Sequence, residues 1–257
     1  HNHLEGWTSA VNLGVCKSGN VVRGNAIWGN TDEDPEERES EGHAIIMDTC
    51  GDDGGALIEN NIIWDNEGYC INIYKSDGAI VRNNTCWKNA VGRPDKVEVS
   101  LRGDYISFHN NVVVSAAGTR TLRILGSEVD YATITSDHNL HWSLDRDNVI
   151  TWPPGTWGTV EEFKAQNPYG WGAASTQLDP RLVESGPRFL EPTYGSPVID
   201  TGDNSWSPAE DYLEVPRPLD GDGDGNNTAD RGAFEFGRVF EDGFETGLTD
   251  KWSDVFE

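Results

Sequence analysis

Apolar and polar residues alternate in short runs along residues 1–145, and the runs recur inside the same phrase. Gly19-Asn-Val-Val-Arg-Gly-Asn-Ala-Ile-Trp-Gly-Asn30 is followed by Ala56-Leu-Ile-Glu-Asn-Asn-Ile-Ile-Trp-Asp-Asn66 and Ala79-Ile-Val-Arg-Asn-Asn-Thr-Cys-Trp-Lys-Asn89. Weaker copies stand at Tyr105-Ile-Ser-Phe-His-Asn-Asn-Val-Val-Val114 and Ala132-Thr-Ile-Thr-Ser-Asp-His-Asn-Leu-His141. Alternation of this kind describes strands, because successive side chains of a strand point to opposite faces. The equivalent asparagines, Asn25, Asn61, Asn84, Asn111 and Asn139, lie 36, 23, 27 and 28 residues apart. The shortest interval sets the unit, since ~23 residues hold two or three short strands and their turns but rarely a strand with a packed helix. Each repeat is therefore predicted to be one coil of a solenoid. Inward residues are buried against neighbouring coils, and an asparagine at a fixed turn passes amide hydrogen bonds along the stack. Trp28, Trp64 and Trp87, beside those asparagines, are read as packing residues.

Coils are expected over residues 1–145, and the chain opens on His1-Asn2-His3 already in pattern, as a fragment whose N-terminal part is missing would. An acidic stretch between Asn30 and Gly42 is too polar to be buried and is predicted to loop out. From Arg146 the repeat gives way to segments rich in Pro and aromatic residues, including Trp152, Trp157 and Trp171. Residues 146–236 are expected to form the last coils and an irregular cap, which a solenoid needs to seal its open end. Residues 237–257 read as a tail or linker.

The repeat phrase resembles the bacterial right-handed parallel β-helix superfamily that includes pectate-lyase-like proteins, over residues 1 to 236. Within it, His43-Ala-Ile-Ile-Met-Asp48, Ile71-Asn-Ile-Tyr-Lys-Ser-Asp77 and Val97-Glu-Val-Ser100 are similar to successive segments of a secreted subgroup of repeat proteins. Gly195-Ser-Pro-Val-Ile-Asp-Thr-Gly202 and the run from Arg217 to Glu235 resemble the closing segment of such proteins. The resemblance implies an all-β, single-stranded right-handed parallel β-helix that is secreted or held at a bacterial cell surface. It transfers architecture rather than chemistry.

Composition narrows the partners. A formal charge of −25 argues against nucleic acid and anionic membranes, both of which the surface would repel. No apolar run approaches the ~20 residues of a membrane helix. Cys16, Cys50, Cys70 and Cys86 lack CxxC spacing, so they are either two disulfides or buried thiols. The six histidines show no zinc spacing. A monomer acting on a polysaccharide is the expectation.

Period-two sorting places Ile45, Met47, Ile71, Ile73, Val97, Val99, Leu101, Leu122 and Ile124 inside. It leaves Ile46, Asp48, Asn72, Tyr74, Glu98, Ser100, Arg102 and Arg123 on one outward face, with Lys75 at the adjoining turn. Coils are ~4.8 Å apart, so such a row can follow several sugar residues. Cations beside acids suit a lyase acting on a uronic-acid polymer, in which arginine or Ca²⁺ neutralises the substrate carboxylate. Lys75 or Tyr74 is the candidate base, with Glu98 and Asp48 the further catalytic candidates, and Arg102, Arg123 and Asn72 bind substrate. Two alternatives are a glycoside hydrolase using Asp48 and Glu98, which needs its carboxyls ~5 Å or ~6.5–9.5 Å apart, and a binding module without catalysis. Asp48, Asp52 and Asp53 form one candidate Ca²⁺ edge, against the alternative of a solvated acidic turn. Asp220, Asp222 and Asp224 match the opening of an EF-hand-like loop whose twelfth position is Arg231 instead of Glu, so a structural Ca²⁺ and a plain Asp-Gly turn series both remain open.

Overall fold

The computed structural model describes residues 9–31, 42–51, 55–91, 96–145 and 147–237. The acidic stretch at 32–41, the pair Asp52 and Asp53, residues 1–8 and the tail from 238 lie outside the described residues.

Five coils follow one another, each made of three strands. They are β1 (Val11–Gly14), β2 (Asn20–Arg23) and β3 (Ala26–Trp28); then β4 (Ile45–Asp48), β5 (Ala56–Glu59) and β6 (Ile62–Trp64). The third coil is β7 (Ile71–Tyr74), β8 (Ile80–Arg82) and β9 (Thr85–Trp87), and the fourth β10 (Val97–Arg102), β11 (Ser107–His109) and β12 (Val112–Ser115). β13 (Arg120–Ile124), β14 (Thr135–Asp137) and β15 (Leu140–Ser143) complete the fifth. Equivalent strands stack in parallel and in register into three sheets, here A, B and C. The chain is an all-β right-handed parallel β-helix. β16 (Ile150–Trp152) extends sheet A, and β17 (Thr156–Gly158) folds back on it antiparallel.

Inward columns fill the coil. Ile45, Ile71, Val99, Leu122 and Ile150 stack in sheet A, Val22, Ile58, Val81 and Phe108 in sheet B, and Ile27, Ile63 and Cys86 in sheet C. Between sheets B and C the backbone bends through a left-handed residue, Asn60, Asn83, Asn110 or His138, a conformation that Asn tolerates better than most. The following asparagine points inward. Asn25, Asn61, Asn84, Asn111 and Asn139 form a ladder in which each Nδ2 donates to the next Oδ1 over 2.9–3.1 Å, and Ser175 receives the last backbone N–H. A second ladder, Asn30 to Asn66 to Asn89, runs along the turn from sheet C to sheet A.

Both cysteine pairs are disulfides, Cys16–Cys50 and Cys70–Cys86, which link successive coils and close a single coil respectively. Sealing of the C-terminal end falls to α1 (Val160–Gln166), whose capping box at Thr159 and Glu162 starts the helix and whose Val160 and Phe163 enter the core beside Trp152 and Trp171. The later residues do something else. Leu182, Leu190, Val198, Ile199, Ala233 and Phe234 pack on the outward side chains of sheet C, including Ile62, Trp87, Val112, Val114 and Leu140. The left-handed asparagines clasp this strap: Asn60 donates to Glu210 O, Asn83 to Asp230 O, and Asn110 exchanges hydrogen bonds with the Asp203 backbone. Among the described residues the apolar packing of the strap lies on sheet C, and on sheet A the side chains of Tyr74, Arg102 and Arg123 remain exposed or half-buried.

Trp157 corrects one expectation. Trp152 and Trp171 are buried as sealing residues, whereas Trp157 is 59% exposed and seals nothing.

Candidate functional site on sheet A

Register builds the outer face of sheet A in two rows. One runs Asn12, Ile46, Asn72, Ser100, Arg123, Thr151 and Trp157; the other runs Gly14, Asp48, Tyr74 and Arg102. Asp48, Tyr74, Arg102, Asn72 and Arg123 therefore share one face, as the alternation predicts, but Asn72 is buried there together with Ile46 and Ser100, so the expectation that it meets solvent is corrected.

Each row has a tyrosine between two cations in it or beside it. In the outer row, Arg102 lies 5.0 Å and Lys75 Nζ 5.3 Å from the centre of the Tyr74 ring. Lys75 takes a left-handed conformation at the end of β7, and the chain turns there against Gly103, where a Cβ would stand 1.8 Å from Ser76 O. Only glycine permits that approach. Asp48, at the same edge, accepts a hydrogen bond from the Thr49 hydroxyl at 2.6 Å.

In the inner row, Arg123 Nη2 donates to the Tyr69 hydroxyl at 2.7 Å and reaches Ser100 Oγ at 3.4 Å. The Arg123 guanidinium and Lys96 Nζ each lie 5.5 Å from the Tyr69 ring centre. His43 packs against the same ring at 4.7 Å and accepts the Tyr69 backbone N–H on Nδ1 at 2.9 Å. That bond leaves the proton of the neutral imidazole on Nε2, 3.5 Å from the Asn72 amide. Burial first, and the charge of Lys96 second, push the His43 pKa down to about 3, so it stays neutral.

Glu98 departs from its expected place. The alternation sends it outward to solvent, but it is fully buried, because at the start of β10 the side chain turns into the corner between sheets C and A. There it accepts from Asn89 Nδ2 at 2.9 Å and from Ala116 N at 3.3 Å, ending the second asparagine ladder. Burial pushes its pKa up to about 8 against the pull of these donors. Glu98 thus cannot touch a ligand in the groove. Of the Asp48 and Glu98 pair expected for hydrolysis, only Asp48 reaches the surface.

Tyr69, His43 and Lys96 were not singled out by alternation. Each stands within two residues of the start of a sheet A strand, where the chain is still turning and the period of two does not apply. The shared position of His43 and Tyr69, two residues before Ile45 and Ile71, is the signal that would have found those two; Lys96, one residue before Val97, does not share it.

The face is also unusual in charge. Four of the chain's 19 lysines and arginines, Lys75, Arg102, Arg120 and Arg123, gather around it on a molecule of net charge −25, with Lys96 buried behind them. A local cationic strip on an acidic protein focuses anionic ligands onto that strip. A separate cleft of about 680 Å³ at the last coil is lined by Tyr131, Tyr169, Pro153, Pro154, Pro168, Gln166 and neighbours, with no carboxylate, histidine or cation.

For a metal, Asp200, Asp220 and Asp222 converge, with carboxylate oxygens within 4.8 Å of one another. Asp222 N donates to Asp200 Oδ2, and the amides of Gly223 and Gly225 donate to Asp220. Asp224 is outside this group and accepts the Asn226 amide. Desolvation, reinforced by Asp222 and Asp220, raises the Asp200 pKa.

Residues 1–118 match a family model described as NosD, periplasmic copper-binding protein. No curated protein matches the chain. Copper favours imidazole and sulfur ligands. Among the described residues the fit is poor: the four cysteines are in disulfides, Met47 is buried in the core, His43 lies beside sheet A, His141 is inside the coil bonded to Thr121, His109 stacks on Trp206, and His138 stands 3.6 Å from Asp137. The converging group is all oxygen, which suits a hard cation instead.

Proposed function

We propose that the outer face of sheet A binds an acidic polysaccharide and cleaves it by β-elimination. The observation that supports this best is the Arg123 guanidinium hydrogen-bonded to the Tyr69 phenol beside the outward row of the sheet. A uronate carboxylate placed there pairs with Arg123, which stabilises the negative charge that develops as the adjacent carbon loses its proton. That proton passes to a base on the protein, the bond to the bridging oxygen breaks as a carbon–carbon double bond forms, and the freed oxygen takes a proton. Tyr69 is the proton-transfer group nearest the guanidinium; Tyr74 and Lys75 offer the same chemistry in the outer row, with Arg102 as its cation.

Two features favour a place outside the bacterial cytoplasm, at the cell surface or secreted: the pair of disulfides, which persist in oxidising compartments, and the periplasmic description of the matched family. In this reading the protein works as a monomer, and Asp200, Asp220 and Asp222 hold a structural Ca²⁺.

Incubation with polygalacturonate, alginate and glycosaminoglycans, with and without Ca²⁺, tests the activity through the ultraviolet absorbance of the unsaturated product. Absorbance on one of them is the expected result. Absence on all of them removes the lyase reading, and retention of a polymer without turnover leaves a carbohydrate-binding module.

A further inference from the structure

We infer that Trp157 is a sugar-stacking subsite at the C-terminal end of the sheet A groove, and that the polysaccharide runs across the strands from Arg123 towards it. This deepens the reading of sheet A as a glycan-binding face.

Strand β17 pairs antiparallel with β16, and cross-strand partners in such a pair share a face. Trp157 is opposite Thr151, and Thr151 is opposite Arg123, so the indole continues the row that carries the inner cluster. Two strand spacings separate it from Arg123, ~10 Å along the sheet. A sugar unit at Trp157 is therefore beyond the one held at Arg123.

The indole is 59% exposed, on a strand whose neighbour Trp152 is 2% exposed and already seals the core. The Arg120 guanidinium lies 5.3 Å from its ring centre and so places a cation beside it. An aromatic face open to solvent stacks on the C–H face of a pyranose, while the flanking arginine suits an acidic polymer. Burial offers no reason for so large an apolar side chain here; a ligand does.

Affinity electrophoresis of the intact protein through gels containing polygalacturonate, alginate or chondroitin sulfate tests this without requiring catalysis. Wild type is expected to be retarded in one of these gels, Trp157→Ala to lose at least tenfold in affinity, and Trp157→Tyr to keep most of it. The melting temperature of each variant should match wild type; if the alanine variant does not fold, Trp157→Thr, suited to an edge strand, replaces it. Equal retardation of wild type and the truncated variant overturns the subsite, as does failure of any gel to retard wild type. Retardation that depends on Trp157 with no unsaturated product keeps the subsite and removes the lyase.

Discussion

Asn89 donates its side-chain amide to Glu98 across 2.9 Å, so a column of asparagines ends on a buried acid. In the fold that acid keeps its proton up to about pH 8, whereas its ordinary value is 4.5. The folded state thus binds the extra proton between these values. Its contribution to stability is complete below the ordinary value and is lost as pH rises through the folded one. Thermal unfolding of wild type and Glu98→Gln from about pH 4 to about pH 9 should show the wild type losing more stability over that range. Parallel profiles would mean that Glu98 is not held neutral.

Asn84 accepts from both the backbone and the side chain of Asn61 and donates to Asn111, Ile58 and Arg82. Asn84→Ala strips those buried groups of partners at ~1–3 kcal/mol each, so urea unfolding should register a loss of at least ~3 kcal/mol. A loss under ~1 kcal/mol would show that the ladder contributes little.

If the inner row performs elimination, Arg123→Ala and Tyr69→Phe each lower turnover by ~10²-fold or more. Both side chains are half-buried at the surface of sheet A, so melting should change little. Lys75→Ala and Tyr74→Phe, measured on the same polymer, assign the proton transfer: full activity in these two with loss in the first two places it at Tyr69, and the converse pattern places it in the outer row.

Alternation along the strands was enough to put Asp48, Tyr74 and Arg102 in one row and Asn72 with Arg123 in the next, because sheet A is regular between Ile45 and Ile124 and period two has no exceptions there except at its entrances. Glu98, Tyr69, His43 and Lys96 are at those entrances. The corner geometry that turns Glu98 inward depends on Asn89 and Ala116, which are 9 and 18 residues away, and no local pattern encodes it. The strap over sheet C had a readable sign: Ile62-Ile63-Trp64 and Val112-Val113-Val114 are apolar on both faces, as strands covered on both sides are. Asp200 belongs with Asp220 and Asp222 only after the strap has folded, so spacing alone favoured Asp224.

Calcium provides a direct test of that carboxylate group. Ca²⁺ at ~100 times its dissociation constant should stabilise the chelator-treated protein by ~2.7 kcal/mol. Asp200→Asn combined with Asp220→Asn should abolish the effect, and an equal shift in the double variant would locate the ion elsewhere.

A solenoid whose coils touch only their neighbours can fray one coil at a time. Here Asn60, Asn83 and Asn110, on three successive coils, are tied to backbone 93 to 150 residues further along the chain. Loss of one coil disturbs a segment that the other two also grip, so local opening is converted into a collective event. The same ties carry a kinetic penalty, because contacts at such separation must wait until the distant segment is available. Coils emerging first from synthesis or export keep the apolar flank of sheet C uncovered until the strap arrives, and that interval is when the chain is most exposed to aggregation and proteolysis.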